Sequence, residues 1–326
     1  MRFNYNYLYI VLTIACLLVW GGEARGYFPP YYLQVFMLIL INIILTTSLN
    51  VINGFCGQLS IGHAGFMAIG AYSSVLLTTV LFEIKGGPSH LPIFLLALVI
   101  GGVVAGGVGY GVGLPILRLK GDYLAIVTLA FGQVIHSLIR LTDEIGEFFQ
   151  KIGLSWLGEI FLSLGGPRGL TGIPRLTHPL IITGITILTI FVVNRLVHSS
   201  YGRAWVSIRE DETSAEMMGV DVTKYKVLAF TIAGFFAGVG GALYAHILMF
   251  IHPDHFSLIK SVEYLVFLYL GGMGSIIGGI VAASSLTFLL EFLRITPLRE
   301  YRLIVYPLIL IVLMLTKSEG LFKRDL

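Results

Sequence analysis

The sequence predicts an all-α polytopic membrane protein of about nine full transmembrane helices plus a re-entrant half-helix, ten by a looser count, with a cytoplasmic helix set between two spans. Three observations lead there. Mean hydropathy is +0.88 and 56% of residues are hydrophobic, grouped in repeated apolar runs long enough to cross a bilayer. The chain carries 39 glycines, and small residues let helix backbones approach where lipid supplies no hydrophobic drive between them. Only 12% of residues are charged, yet Tyr201 to Lys226 holds nine charges, four basic and five acidic.

The first apolar run, residues 8–20, follows Arg2 and no small-x-small cleavage site comes after it, so a retained helix is expected, anchored at the interface by Tyr5, Tyr7 and Tyr9. A polar hinge with Glu23, Arg25, Pro29 and Pro30 leaves the hydrocarbon. The second span, residues 32–52, contains Asn42 and Asn50, whose amides need partners in a neighbouring helix. Residues 53–72, NGFCGQLSIGHAGFMAIGAY, mix five glycines with Asn53, Gln58, Ser60 and His63. A non-helical entry followed by a close-packed helix accounts for that mixture; the polar groups either satisfy the freed backbone or line a water-filled path. Gln58, Ser60 and His63 are the candidate translocation lining.

The third span ends near Phe82 and the fourth covers residues 91–114, where GGVVAGGVGYGVG forms a small-residue packing face. Arg118 and Lys120 precede the fifth span, residues 123–139, which carries Gln133 and His136 as interior candidates. Residues 141–179 form an extracytoplasmic connector in which residues 152–164 are too short to cross and read as a surface helix, followed by the turn segment SLGGPRGLTGIP. The sixth span is residues 180–197 and the seventh residues 226–250.

Between those spans, residues 199–226 form a cytoplasmic loop. Trp205, Ile208, Ala215 and Met218 recur at helical spacing and define an apolar stripe, with Gly219 near the same side and Glu210, Asp211 and Ser214 elsewhere. Gly219 marks a stop, and Thr223 is placed to cap a helix opening at Lys224. The HPDH at residues 252–255 lacks a nearby third ligand for a metal site. Residues 261–293 are apolar but broken by Gly271-Gly272-Met273-Gly274-Ser275. A re-entering half-helix followed by a full helix fits, and so does one tilted, kinked span. The last span is residues 301–315. With both termini inside, Arg118, Lys120, Arg203, Arg209, Lys224 and Lys226 fall on the cytoplasmic side, as positive-inside bias requires.

Basic residues are scattered, which argues against a nucleic-acid groove. Cys16 and Cys56 form no CxxC and no disulfide framework. A membrane enzyme needs a convergent catalytic set, and no HExxH or GxSxG occurs. A coupled carrier usually places an acidic group at mid-membrane, and none lies inside a clear span. A permease driven by a separate ATPase requires no GxxxxGK[ST] here, and none is present; it requires an ordered cytoplasmic helix, and the charged loop supplies one.

The motifs GFCGQLSIGHAGFMAIGAY, RLKGDYLAIVTLAFG, GGPRGLTGIP and YGRAWVSIREDETSAEMMGVDVTKYKVLAFTIAGFFAGVGGALYAH, with LYLGGMGSIIGG nearer the end, resemble the second integral-membrane permease of bacterial branched-chain amino acid ABC importers, the LivM family. The resemblance spans most of the chain. It implies a subunit of the bacterial inner membrane that pairs with a related permease, two cytoplasmic ATPases and an extracytoplasmic binding protein delivering leucine, isoleucine or valine. It implies no cofactor in this chain, ATP and magnesium belonging to the ATPases. It also implies that Arg209, Glu210, Glu212, Ala215 and Gly219 form the ATPase-coupling loop. Where the family often has asparagine in GGPNGL, this chain has Arg168, a candidate for binding-protein docking. Related permeases move urea or short-chain amides, so those substrates stand as the alternative, beside a self-contained carrier or channel.

Overall fold

The computed structural model describes residues 5–24, 26, 29–82, 84, 90–116, 121–295, 308, 311, 312, 321 and 322. Helix α1 (Tyr5–Ala24) leads to α2 (Pro30–Asn50), which opens on a proline at its first turn and runs into a π-helical turn at Val51–Phe55. After a non-helical stretch, α3 (His63–Val75) continues through a second π-helical turn, Leu76–Leu81. Then come α4 (Leu91–Ile116) and α5 (Asp122–Arg140), the short α6 (Thr142–Lys151) and α7 (Ser155–Leu162), and α8 (Pro179–Val197). Helices α9 (Ser200–Glu210) and α10 (Glu212–Met217) precede the long α11 (Val222–Leu248). Last are α12 (Leu258–Gly271) and α13 (Ile276–Ile295).

Among the described residues, seven helical stretches are long and apolar enough to cross a membrane: Pro30–Phe55, His63–Leu81, Leu91–Leu114, Tyr123–Arg140, Pro179–Val197, Val222–Leu248 and Ile276–Arg294. The apolar part of α1, Leu8–Gly22, is shorter. The expected final span at residues 301–315 lies outside the described residues except for three positions, as do Arg118, Lys120 and the basic residues after 316. The chain is thus a multi-pass, all-α membrane protein.

Helix α11 is the centre, packed most extensively on α4, α3 and α2. Close approach is possible because glycines face one another. A Cβ on Gly70 of α3 would sit 2.2 Å from the Gly238 Cα of α11, and one on Gly241 would sit 2.0 Å from the Met67 carbonyl oxygen. The expected amide partners are also present: Asn42 donates to Thr287 Oγ1 at 2.9 Å. Asn50 donates to the Ser275 carbonyl at 3.0 Å and accepts from the Gly274 N–H at 2.9 Å. The interruption after Gly271 is therefore held by α2. A 14-residue helix, a turn with Gly272 and Gly274 at positive φ, and a full-length helix occupy the stretch that one kinked span would otherwise fill.

The connector differs from the expected single surface helix at residues 152–164. Gly153, at φ +89°, separates α6 from α7, and the two pack with Phe149 stacked on Phe161 at 5.5 Å. Downstream, β1 (Leu170–Thr171) pairs antiparallel with β2 (Phe250–Ile251), a two-stranded addition to an otherwise helical chain. The pairing places the connector at the end of the molecule where α11 finishes. Helices α9 and α10 lie at its other end, about 40 Å away along its 27 residues.

Candidate functional site: a helix pair gripping a break

The helix pair is assembled by local capping. Ser199 Oγ accepts from the Tyr201 N–H at 3.2 Å and opens α9. Ala204, Trp205 and Ile208 are buried, and Trp205 Nε1 donates to the Tyr225 carbonyl of α11 at 2.9 Å. The helix then stops. Asp211 is extended (φ −159°, ψ 114°) and its Oδ1 accepts the Ser214 N–H at 2.8 Å, so it caps a separate α10. Gly219, at φ +85°, ends α10, with the Val220 N–H returning to the Ala215 carbonyl at 3.0 Å.

Two expectations are corrected here. The apolar stripe does not include Met218, because the break at Asp211 resets the helical phase; Ala215 is buried while Met217 and Met218 are 83% and 85% exposed. The cap of α11 is Asp221, whose Oδ1 accepts from Lys224 N at 3.0 Å, and the helix begins at Val222 rather than Lys224. A carboxylate two residues earlier than Thr223 reaches the free N–H groups first.

Charge divides the pair into two faces. Glu210, Asp211, Ser214, Glu216 and both methionines are exposed. Arg209 and Glu212 turn inward. Arg209 Nη1 donates to the Gly54 carbonyl in the π-helical turn at 3.1 Å while its Nη2 reaches Glu210 Oε1 at 3.0 Å. Glu212 Oε1 pairs with Lys226, which is 1% exposed, and accepts from Gln58 Nε2 at 3.0 Å. Gly57, at φ +70°, lets the chain pass Arg209: an added Cβ would lie 2.6 Å from its Cγ. The π-helical turn at the end of α2 is thus held by one guanidinium, and the non-helical stretch after it by one carboxylate.

The structure therefore brings Gln58 to the helix pair. Ser60 and His63 lie further along the same stretch and are fully buried. The Ser60 N–H donates to the Asn53 side chain at 3.2 Å, and His63 Nε2 is 3.0 Å from Ser48 Oγ. Arg168 is exposed on a 3-10 turn (Gly166–Arg168) at the connector end, remote from the helix pair. Gly219 is exposed in its turn and Ala215 packs inward.

Sequence reasoning missed two features. Lys226 is the buried counter-charge of Glu212, a pairing that links positions 14 apart and has no local signature. At the connector end, a cavity of about 560 Å³ opens between α2, α11, α12 and α13, with Tyr31, Lys260, Glu263, Glu291 and Arg294 on its wall. These charges are far apart in sequence and sit near the ends of apolar helices. Nearby, Asp254 accepts from Arg140 at 2.8 Å and lies 3.3 Å from His136. Burial pushes its carboxyl up, but the His136 hydrogen bond and the Arg140 charge outweigh this and hold it below the ordinary carboxylate range.

The profile of the family described as branched-chain amino acid transport system / permease component matches residues 31–314. The chain is 32% identical over 318 residues to the high-affinity branched-chain amino acid transport system permease protein LivM of Salmonella typhimurium, covering 87% of this chain and 68% of that one. It is 32% identical over 349 residues to the LivM protein of Escherichia coli, covering 96% and 74%. The guanosine ABC transporter permease protein NupQ of Bacillus subtilis is 27% identical over 216 residues, 62% of this chain and 63% of that one. No solved structure matches the chain significantly.

Proposed function

The chain belongs to the family of branched-chain amino acid transport permeases, as a non-catalytic ABC-transporter subunit, and we propose that it imports leucine, isoleucine, valine or related amino acids. In this reading it pairs with a related permease, two cytoplasmic ATPases and an extracytoplasmic binding protein in the bacterial inner membrane, with both termini cytoplasmic. The observation that carries the mechanism is the two-faced helix pair. Its outer face, with Glu210, Glu216, Met217 and Met218, meets the ATPase. Its inner face, with Arg209 and Glu212, holds the break after α2 through Gly54 and Gln58.

ATP-driven closure of the ATPases displaces α9 and α10 as a unit, since Trp205 and the Lys226 pair tie them to α11. The motion passes to residues 54–63, where the backbone is least helical and yields first. Gln58, Ser60 and His63 then move relative to α2 and open the path. Ala215 and Gly219 shape the surface presented to the ATPase, and Arg168 meets the binding protein at the opposite end.

Uptake by the complex reconstituted from this chain, the partner permease, the two ATPases and the binding protein tests this reading. Glu212→Lys, or Gly219→Leu, is expected to abolish ATP-dependent leucine uptake and its link to hydrolysis while the subunit still inserts. Wild-type uptake by either variant rules out the coupling role. Flux through the purified chain alone in liposomes would instead favour a self-contained carrier, and uptake of guanosine or urea in preference to leucine would reassign the substrate. A cysteine at Asp211 should be labelled only from the cytoplasm and one at Glu159 only from outside; the reverse pattern refutes the orientation.

A further inference from the structure

The cavity at the connector end has an unusual wall for its place in an apolar molecule. Lys260 Nζ is 2.8 Å from Glu263 Oε1, with side chains 21% and 18% exposed. Glu291 Oε2 accepts from the Tyr31 hydroxyl at 2.7 Å and is 3.5 Å from Arg294 Nη1. No hydrogen bond to Glu263 Oε2 or Glu291 Oε1 is made among the described residues, and Lys260 gives one donor to Glu263 while its ammonium lies 5.4 Å from the centre of the Tyr264 ring. The remaining wall is mostly aliphatic, from Leu38, Leu248, Val262 and Val266 among others, with Gln34, Asn42, Tyr244 and Thr287 as its uncharged polar members. The space runs from Tyr31 to Asn42, about 16 Å along α2, and stops at the Asn42–Thr287 hydrogen bond.

This chemistry selects its occupant. Two carboxylates disfavour an anion, two cations disfavour a cation, and a wholly apolar molecule would displace water from the charges without replacing its hydrogen bonds. A zwitterion with an aliphatic tail satisfies all three parts of the wall, and the volume lies within the ~300–1,000 Å³ typical of small-molecule sites. We propose that this cavity binds a free α-amino acid with an aliphatic side chain, its ammonium held by Glu263 and Glu291 and its carboxylate by Lys260 and Arg294. The proposal rests on the importer reading above and names the residues that would meet the substrate once it is released at the connector end.

The test is substrate protection in the assembled transporter, held in phosphatidylcholine nanodiscs. A Leu38→Cys variant places a thiol in the cavity wall, and the native Cys16 and Cys56 are buried. Leucine at about ten times its dissociation constant leaves about a tenth of sites free, so labelling by a methanethiosulfonate reagent should slow roughly tenfold. Leucinol, which lacks the carboxylate, and 4-methylpentanoate, which lacks the ammonium, should protect little at the same concentration. Adding Glu263→Gln or Glu291→Gln should remove the protection, and Lys260→Arg should keep it; Val262→Cys provides a second thiol position if Leu38→Cys fails to assemble. Unchanged labelling with leucine, in a complex whose wild type imports leucine, would overturn the site and leave the importer reading standing. Absence of leucine import by the wild type would remove the importer reading itself. Protection that appears only in phosphatidylethanolamine nanodiscs would assign the cavity to a lipid headgroup and overturn the proposal.

Discussion

The two ends of the molecule use the same three charged residue types in opposite ways. At the helix-pair end, Arg209, Glu212 and Lys226 are committed to protein partners, and Lys226 is closed off from solvent. At the connector end, Lys260, Glu263, Glu291 and Arg294 also pair, but around open space, with capacity to spare. Charges spent on the fold transmit force between elements; charges left partly unspent around a cavity can recognise a solute. The contrast separates a joint from a receptacle within one helical scaffold.

The strongest way to break that contrast is to unpair each end. Glu212→Leu strands the buried Lys226 ammonium and is expected to lower stability by about 3–5 kcal/mol, read as a large drop in the thermal midpoint of the purified subunit. The double change Glu212→Leu with Lys226→Met should recover most of this loss without restoring coupling. By comparison, Glu291→Gln keeps an acceptor for Tyr31 beside a cavity open to water, and should cost less than about 1 kcal/mol. Equal losses at the two ends would show that the cavity charges are structural after all.

Gly57→Ala sharpens the role of the joint, since the new methyl group meets both a positive φ and the Arg209 side chain. A loss of about 1–3 kcal/mol is expected, whereas Gly107→Ala, on a side of α4 with nothing within 4 Å, should be neutral or stabilise by up to ~1 kcal/mol. The smallest effect belongs to Asp254→Asn, where the carboxylate is 54% exposed. Because its folded pKa is lowered, its contribution is present above the ordinary carboxylate range and disappears as pH falls through the lowered value. A pH titration of the thermal midpoint should show the wild type losing its small advantage over Asp254→Asn under acid conditions; an advantage that grows with acid would reverse the sign.

The spans were legible because each is a contiguous apolar run, and the amide partners of Asn42 and Asn50 followed from the cost of an unpaired amide between helices. The helix pair was legible as a location because its charges are contiguous. Its internal geometry was not: spacing alone carries the apolar stripe straight through Asp211, whereas the short carboxylate caps a new helix there and turns Met218 outward. The acidic opening of the connector hid α6, whose face is covered only when α7 folds back on it past Gly153. The cavity wall was illegible for a different reason. Tyr31, Lys260 and Glu291 come from three helices, and each alone resembles an interfacial anchor.

The end of α12 has a practical corollary. A helix that stops inside the molecule leaves carbonyl oxygens aimed at protein instead of water, and here two of them are met from far along the chain: Leu321 N–H donates to the Leu270 carbonyl at 3.0 Å and Phe322 N–H to the Gly271 carbonyl at 3.2 Å. Residues 321–322 thus cap a buried helix terminus through their backbone. An affinity handle inserted close to residues 321–322 would pull on α12 itself, so a long flexible spacer or a handle at another surface position is the sound choice for isolating the subunit.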